Sequence, residues 1–316
     1  GRLGIDVRLA LRAPLWRAGQ LDRLFEIFKE AEGLATRHGE TDRLDVVYSF
    51  FTQYHWAKGE QREAIAYGQR CLETAERRGD LGLRVTGHYY VGCAHLALGR
   101  FRDGLDHFEQ IIAALEGPRA TERFGLSGLP YCGACALGAH CLMWLGDPQG
   151  ALALVERGER VARAAKHLYS EVPLLISRGR LLTEGGRARE AIEVLERAIA
   201  ICRERKFAGQ LMRALEAAGS AYSLTSRHQE AIAAARECVE LQEKAAALGE
   251  RGDHVRHVAE AHLLAGELDL AESTAHEAIA FARRLHERHS EAGALWILGE
   301  VSRQRGDRAR AARHHQ

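Results

Sequence analysis

The run Gly186-Arg187-Ala188-Arg189-Glu190-Ala191 sets a turn-forming glycine five residues before an alanine, and Ile192-Glu193-Val194-Leu195-Glu196-Arg197-Ala198-Ile199 then repeats apolar residues at helical spacing. The same arrangement recurs at Gly19, Gly59, Gly99, Gly146, Ser226, Gly266 and Gly306. With Gly186 in its place, successive anchors lie 40, 40, 47, 40, 40, 40 and 40 residues apart. A fixed period of this length is the mark of stacked structural repeats. Five residues after each anchor stand Leu24, Ala64, Gly104, Ala151, Ala191, Ala231, Ala271 and Ala311. Twelve after come Ala31, Cys71, Ile111, Gly158, Ala198, Cys238 and Ala278. These mostly small side chains share a helix face and let a second helix approach closely.

Upstream of the anchors, residues 84–98, 173–183 and 291–303 carry apolar positions three and four apart and run into the turn, so each repeat reads as helix, turn, helix. Asp147 before Pro148 and Ser170 before Glu171 read as helix starts. Pro14 falls inside the first helix and should kink it. No strand pattern competes. The unit resembles the tetratricopeptide repeat in a longer form of about 40 residues. That resemblance implies an all-α, right-handed superhelical solenoid of about eight repeats over residues 1–316, the last truncated, with the first helix of each repeat lining a concave face.

Composition agrees with a folded chain. The 316 residues are 46% hydrophobic and 28% charged, which excludes compositional disorder. With 44 basic residues against 43 acidic, no like-charge block offers a nucleic-acid footprint, and none is expected as a partner. Only five of the basic residues are lysine, a bias pointing to a GC-rich bacterial genome. Seven cysteines without a secreted framework imply reduced thiols and a cytoplasmic protein. Residues 124–146 run 23 positions without a formal charge, but their five glycines, proline and histidine argue against a membrane span. The absent initiator methionine and the ending His314-His315-Gln316 lead us to expect a longer parent chain.

The one irregular spacing is taken up at about residues 117–130, which hold Gly117-Pro118 and Arg123-Phe124-Gly125-Leu126-Ser127-Gly128-Leu129-Pro130. With Leu9-Ala10-Leu11-Arg12-Ala13-Pro14-Leu15, Glu30-Ala31-Glu32 and Tyr54-His55-Trp56, this segment resembles the C-terminal repeat region of large bacterial signalling proteins. In that family a class III nucleotide cyclase domain and an AAA-type ATPase domain precede the repeats. The resemblance implies a regulatory module whose partners include those intramolecular domains. No phosphate-binding glycine loop or cyclase carboxylate pair is present in these residues.

Cys132, Cys135, His140 and Cys141 are four soft ligands within ten residues. On one helix Cys132 and Cys135 share a face while His140 and Cys141 turn away, so we assign no metal and no cofactor. His55, His95 and His262, each four residues before an anchor, are expected to pack against a neighbouring helix. His254, His257, His286 and His289 are expected on solvated faces. No catalytic triad emerges, and catalysis by this chain is not expected.

Positions three, six, ten and thirteen before each anchor fall on one stripe of the first helices, which the solenoid should turn toward its groove. In the first half this stripe holds Trp16, Gln53, Trp56, Tyr89 and His140, with Trp144 beside it; in the second it holds Arg180, Arg213, Glu216, Arg256 and Glu260. Aromatic anchors followed by charged partners suit a protein or peptide ligand. The leading expectation is therefore a peptide-binding regulatory scaffold. The alternative is a small-molecule sensor that holds a metabolite near Trp56 and Trp144.

Overall fold

The computed structural model describes residues 1–12, 15, 20–244 and 251–314; the expectations for Pro14, Trp16 and Gly19 lie outside the described residues. The chain is an all-α solenoid of sixteen described α-helices. They pair as α1 (Arg2–Ala10) with α2 (Leu21–Arg37), α3 (Thr41–Lys58) with α4 (Gln61–Arg78), α5 (Leu81–Ala97) with α6 (Phe101–Leu115), and α7 (Pro130–Trp144) with α8 (Pro148–Ala164). The series continues as α9 (Leu168–Glu184) with α10 (Ala188–Arg205), α11 (Ala208–Leu224) with α12 (His228–Lys244), α13 (Arg251–Leu264) with α14 (Leu268–Leu285), and α15 (Arg288–Gln304) with α16 (Arg308–His314).

Each helix packs on the next in sequence, and the odd-numbered helices from α3 to α15 also pack side by side. They form the inner wall, and the even-numbered helices form the outer one. The small positions explain the close approach. Ala64, Ala151, Ala191, Ala231 and Ala271 have no exposed surface, and neither do Cys71, Ala198 and Ala278 one helical face further on. The apolar core divides into successive clusters, from α1–α3 around Phe28 and Phe51 to α13–α15 around Ile297 and Leu298. This is nearest-neighbour packing, in which no repeat buries its own faces alone.

Every described anchor adopts a left-handed backbone, with φ from +60° at Ser226 to +82° at Gly306. That conformation lets the amides after the turn reach back to the last carbonyls of the helix, as Glu60 N does to His55 O at 2.9 Å. Ser226 holds it without glycine's freedom. A second series of left-handed turns, at Gly39, Gly79, Lys166, Lys206 and His286, joins five of the outer helices to the next inner one.

The helix start expected at Ser170 is corrected: α9 begins at Leu168, and Pro173 lies inside it. A proline at that position leaves the carbonyl of Tyr169 without its helical donor. Gln210 Nε2 on α11 supplies one at 2.8 Å, which is how the helix continues through the proline. Asp147 does cap α8, its carboxylate accepting from Gly150 N at 2.8 Å, with Pro148 in the first turn.

Between α6 and α7 the chain forms a short 3-10 turn (Gly117–Thr121) and then crosses the inner wall. Phe124 lies against α5, where a Cβ on Gly82 would stand 3.3 Å from its ring. Leu129 N donates to Ser170 Oγ of α9 at 2.7 Å. A cavity of about 240 Å³ remains under the loop, against Ser49 and Gln53 of α3 and Thr86 and Tyr90 of α5.

Candidate functional site

The inner wall of the second half carries a continuous polar network built one repeat at a time. His140 and Trp144 lie on α7, Arg180 on α9, Arg213 and Glu216 on α11, Asp253, Arg256, His257 and Glu260 on α13, and His289 on α15. Spacing of 36 to 41 residues between partners places them side by side on adjacent helices, because the repeat period returns each helix to the same register.

Glu216 is its centre. Arg180 Nη2 donates to both of its oxygens at 2.8 and 2.7 Å, and His257 Nε2 stands 3.0 Å from Oε1. The Glu216 side chain is 8% exposed. Burial opposes its charge, but the Arg180 guanidinium and the His257 imidazole outweigh it and hold the carboxyl well below the usual range. His257 responds in kind. Burial and neighbouring Arg256 disfavour its protonation, and Glu216 and Asp253 overcome both and keep its pKa well above the ordinary histidine value. Arg256 Nε donates to Asp253 Oδ1 at 3.0 Å and its Nη1 to Glu260 Oε2 at 3.1 Å.

At the other end of the chain of contacts, Trp144 Nε1 donates to His140 Nε2 at 3.0 Å, and Arg180 Nη1 lies 3.1 Å from its Nδ1 and 3.2 Å from its Nε2. The indole N–H can only donate, which makes Nε2 an acceptor. Burial first, then the charges of Arg180 and Arg213, push His140 well below its ordinary pKa, so it is neutral. Trp144 is 54% exposed.

The aromatic half is arranged differently. Gln53 is buried and accepts from Arg12 Nε at 3.1 Å. Trp56 is partly buried against Tyr90, with ring centroids 5.8 Å apart. Tyr89 packs over Gly133 of α7, where a Cβ would meet its ring at 2.8 Å. Arg213 lies close enough for its charge to act on Tyr89 and His140. Thus His140, Trp144, Arg180, Arg213, Glu216, Arg256 and Glu260 converge on one network, whereas Gln53 lies beneath the loop of residues 122–129.

Sequence reasoning missed Asp253, His257 and His289. Asp253 stands thirteen residues before Gly266, on the stripe itself. His254, His257 and His289 are not on solvated faces: His254 is 4% exposed, and the side chains of His257 and His289 are 14% and 19% exposed. The inner helices carry them, and the winding of the solenoid encloses what a single helix would leave wet. His286 is exposed, and His55, His95 and His262 are buried, as packing against a neighbouring helix requires.

Glu216, Asp253 and His257 are the one trio among the described residues whose ligand atoms, all within 4.8 Å of one another, could hold a metal ion. Arg180 and Arg256 already neutralise these carboxylates at hydrogen-bond distance, so a dication there would meet two guanidinium charges. The thiols of Cys132, Cys135 and Cys141 are buried, and burial pushes each up to about 12, leaving them protonated and poor ligands. No described helix is long and apolar enough to cross a membrane.

The tetratricopeptide repeat family matches residues 172–244, which span most of α9 and all of α10 to α12. The chain therefore carries a tetratricopeptide repeat region within its helical solenoid. Its fold is similar to that of the Rap protein complexed with Competence and Sporulation Factor, with a TM-score of 0.64, 12% identity, and coverage of 98% of this chain and 95% of that one. It is similar also to NprR in complex with its cognate peptide NprX, with a TM-score of 0.62, 17% identity, and coverage of 98% and 87%. The apo form of the quorum sensor NprR from B. thuringiensis gives a TM-score of 0.51 at 14% identity, covering 98% and 96%. Identities this low show a shared fold. Among curated proteins none matches significantly.

Proposed function

We propose that this chain is a peptide-binding regulatory scaffold that holds its ligand against the inner wall of the solenoid. The observation that carries the reading is the row of charged side chains, Arg180, Arg213, Glu216 and Arg256, fixed in register on successive inner helices beside the half-exposed Trp144. An extended peptide crossing these helices would meet an aromatic anchor and then alternating charge, and arginine held by a neighbour is already oriented for carboxylate recognition. Support comes also from NprR, a solved structure of the same fold in complex with a peptide. A metabolite sensor would need a cavity of roughly 300–1,000 Å³. In the aromatic half the space under the loop, at about 240 Å³, is smaller than that.

The test is selection from a random peptide library, followed by fluorescence polarisation of the selected peptides. Binding should weaken in Trp144→Ala and Arg213→Ala. Selected peptides that bind both variants as tightly as the parent would count against this face.

The resemblance of residues 123–130 further supports a setting in a larger bacterial signalling protein, with the peptide's occupancy conveyed to cyclase and ATPase domains. The chemistry would belong to those domains and not to these helices. The seven cysteines, all free thiols and all buried, support a reducing cytoplasm. Cyclase activity of a chain carrying all three regions, measured with and without the selected peptide, tests the coupling.

A further inference from the structure

The solenoid winds far enough for its third and eighth repeats to meet. Phe101, the first residue of α6, stacks on Trp144 with centroids 5.4 Å apart and planes 6° apart. His289 of α15 approaches both rings edge on, at 6.2 and 6.3 Å. A Cβ on Gly99 would lie 3.8 Å from His289 Nδ1. Beside this contact a cavity of about 560 Å³ opens between the two ends.

Its lining is strongly cationic. Arg62 and Arg100 face it from one end and Arg283, His286 and Arg288 from the other, against the single carboxylate of Glu291. Glu291 is already engaged, accepting from Arg283 Nε at 2.7 Å. The guanidinium groups of Arg62, Arg100 and Arg288 have no ion-pair or hydrogen-bond partner among the described residues. On the inner wall, by contrast, arginines stand against carboxylates, as Arg180 does with Glu216. A net charge of only +1 for the whole chain makes this concentration local. Two helices also begin at the cavity. Arg100 is the N-cap of α6 and brings no side-chain acceptor to its free amides, and Arg288 opens α15. Unpaired helical amides and the positive end of the dipole favour an anion there.

We infer that this seam cavity binds a small oligophosphate, with Arg62, Arg100 and Arg288 receiving its oxygens and the first amides of α6 completing the cradle. The volume falls within the roughly 300–1,000 Å³ of small-molecule sites. The polar, arginine-lined walls suit a ligand with several negative oxygens better than an apolar one, since guanidinium forks bond phosphate in pairs. Trp144, 54% exposed and 6.3 Å from His289 of the lining, would offer a base its remaining ring surface. The bound anion would bridge residues more than 180 positions apart in sequence, between Arg100 and Arg288, and so hold the two ends of the turn together. Arg62, Arg100 and Arg288 lie outside the inner-wall network, so the oligophosphate test reads apart from peptide recognition.

Isothermal titration with inorganic tripolyphosphate and with ATP at low ionic strength tests it. One saturable site is expected for the unaltered chain, weakened about a hundredfold in the triple variant Arg62→Ala, Arg100→Ala, Arg288→Ala. The exposed-arginine control Arg160→Ala, Arg236→Ala should bind as the parent does, and circular dichroism should show all three chains equally helical. Equal affinity for the two probes defines a bare oligophosphate site; tighter ATP binding that is lost in Trp144→Ala defines a nucleotide site. Absence of saturable binding to both probes, or an equal loss in the control, overturns the inference.

Discussion

Arg180 on α9 holds both carboxylate oxygens of Glu216 on α11, at 2.8 and 2.7 Å, and so ties two successive repeats together on the inner wall. Both side chains are largely out of water, 16% and 8% exposed. Removing one member of such a pair strands the other's charge, at a cost of about 3–5 kcal/mol, while replacing both by apolar groups can be nearly neutral. Arg180→Ala should therefore destabilise the chain by about 3 kcal/mol, and Arg180→Met with Glu216→Leu should recover much of that. Urea denaturation reads both. A double variant as weak as the sum of its singles would contradict the account.

Acid should loosen the third repeat before carboxylates titrate. His88 and His107 face each other with Nδ1 atoms 2.8 Å apart. Burial first, then a second imidazole, that of His107 for His88 and that of His95 for His107, pushes each down to about 4 from an ordinary value of 6.5. Their folded pKa lies below the unfolded one, so their contribution is present above about 6.5 and is lost as pH falls toward 4. The melting temperature should drop between pH 7 and pH 5 by more in the parent than in His107→Gln. His257 has the opposite sign. Its raised pKa contributes stability that is full below 6.5 and is lost as pH rises through the folded value, so His257→Gln should flatten the alkaline limb.

The bond from Gln210 to the Tyr169 carbonyl makes a cross-repeat dependence testable. Gln210→Ala leaves a buried carbonyl without a donor and should cost about 1–3 kcal/mol. Pro173→Ala restores the helical N–H to that carbonyl, so the combined variant should be more stable than Gln210→Ala alone. Additive losses across the cycle would show that the two groups do not share the carbonyl.

Two helical glycines should respond with opposite signs. A Cβ on Gly179 would stand 2.4 Å from Leu195 Cγ, so Gly179→Ala must push α10 away at about 1–3 kcal/mol. A Cβ on Gly33 of α2 meets nothing within 4 Å, and Gly33→Ala should add about 0.5–1 kcal/mol by restricting the unfolded chain. Thermal melts of the two variants check the contrast.

The architecture was legible because its physics is local and periodic. Gly59 to Gly306 mark turns whose left-handed backbone glycine adopts freely, and Ala191 with Ala198 marks the close face of the helix that follows. The start at Ser170 was misplaced, and the donor that carries the helix through Pro173, Gln210, lies 37 residues further along. The network was half legible. Arg180, Glu216, Arg256 and Glu260 fall at fixed offsets from their anchors, but the enclosure of His257 and His289 depends on how far the solenoid winds. A single helix wheel carries no information on that. The contact between Gly99 and His289, and the cationic cavity beside it, arises only when the third and eighth repeats meet.

Peptide recognition by the inner wall is tested most directly by hydrogen–deuterium exchange of this chain with and without a saturating library-selected peptide. Slowed exchange at the inner helices α7, α9, α11 and α13, with α8, α10 and α12 unchanged, is the predicted result. Protection confined to the outer helices, or spread evenly over both walls, would contradict it.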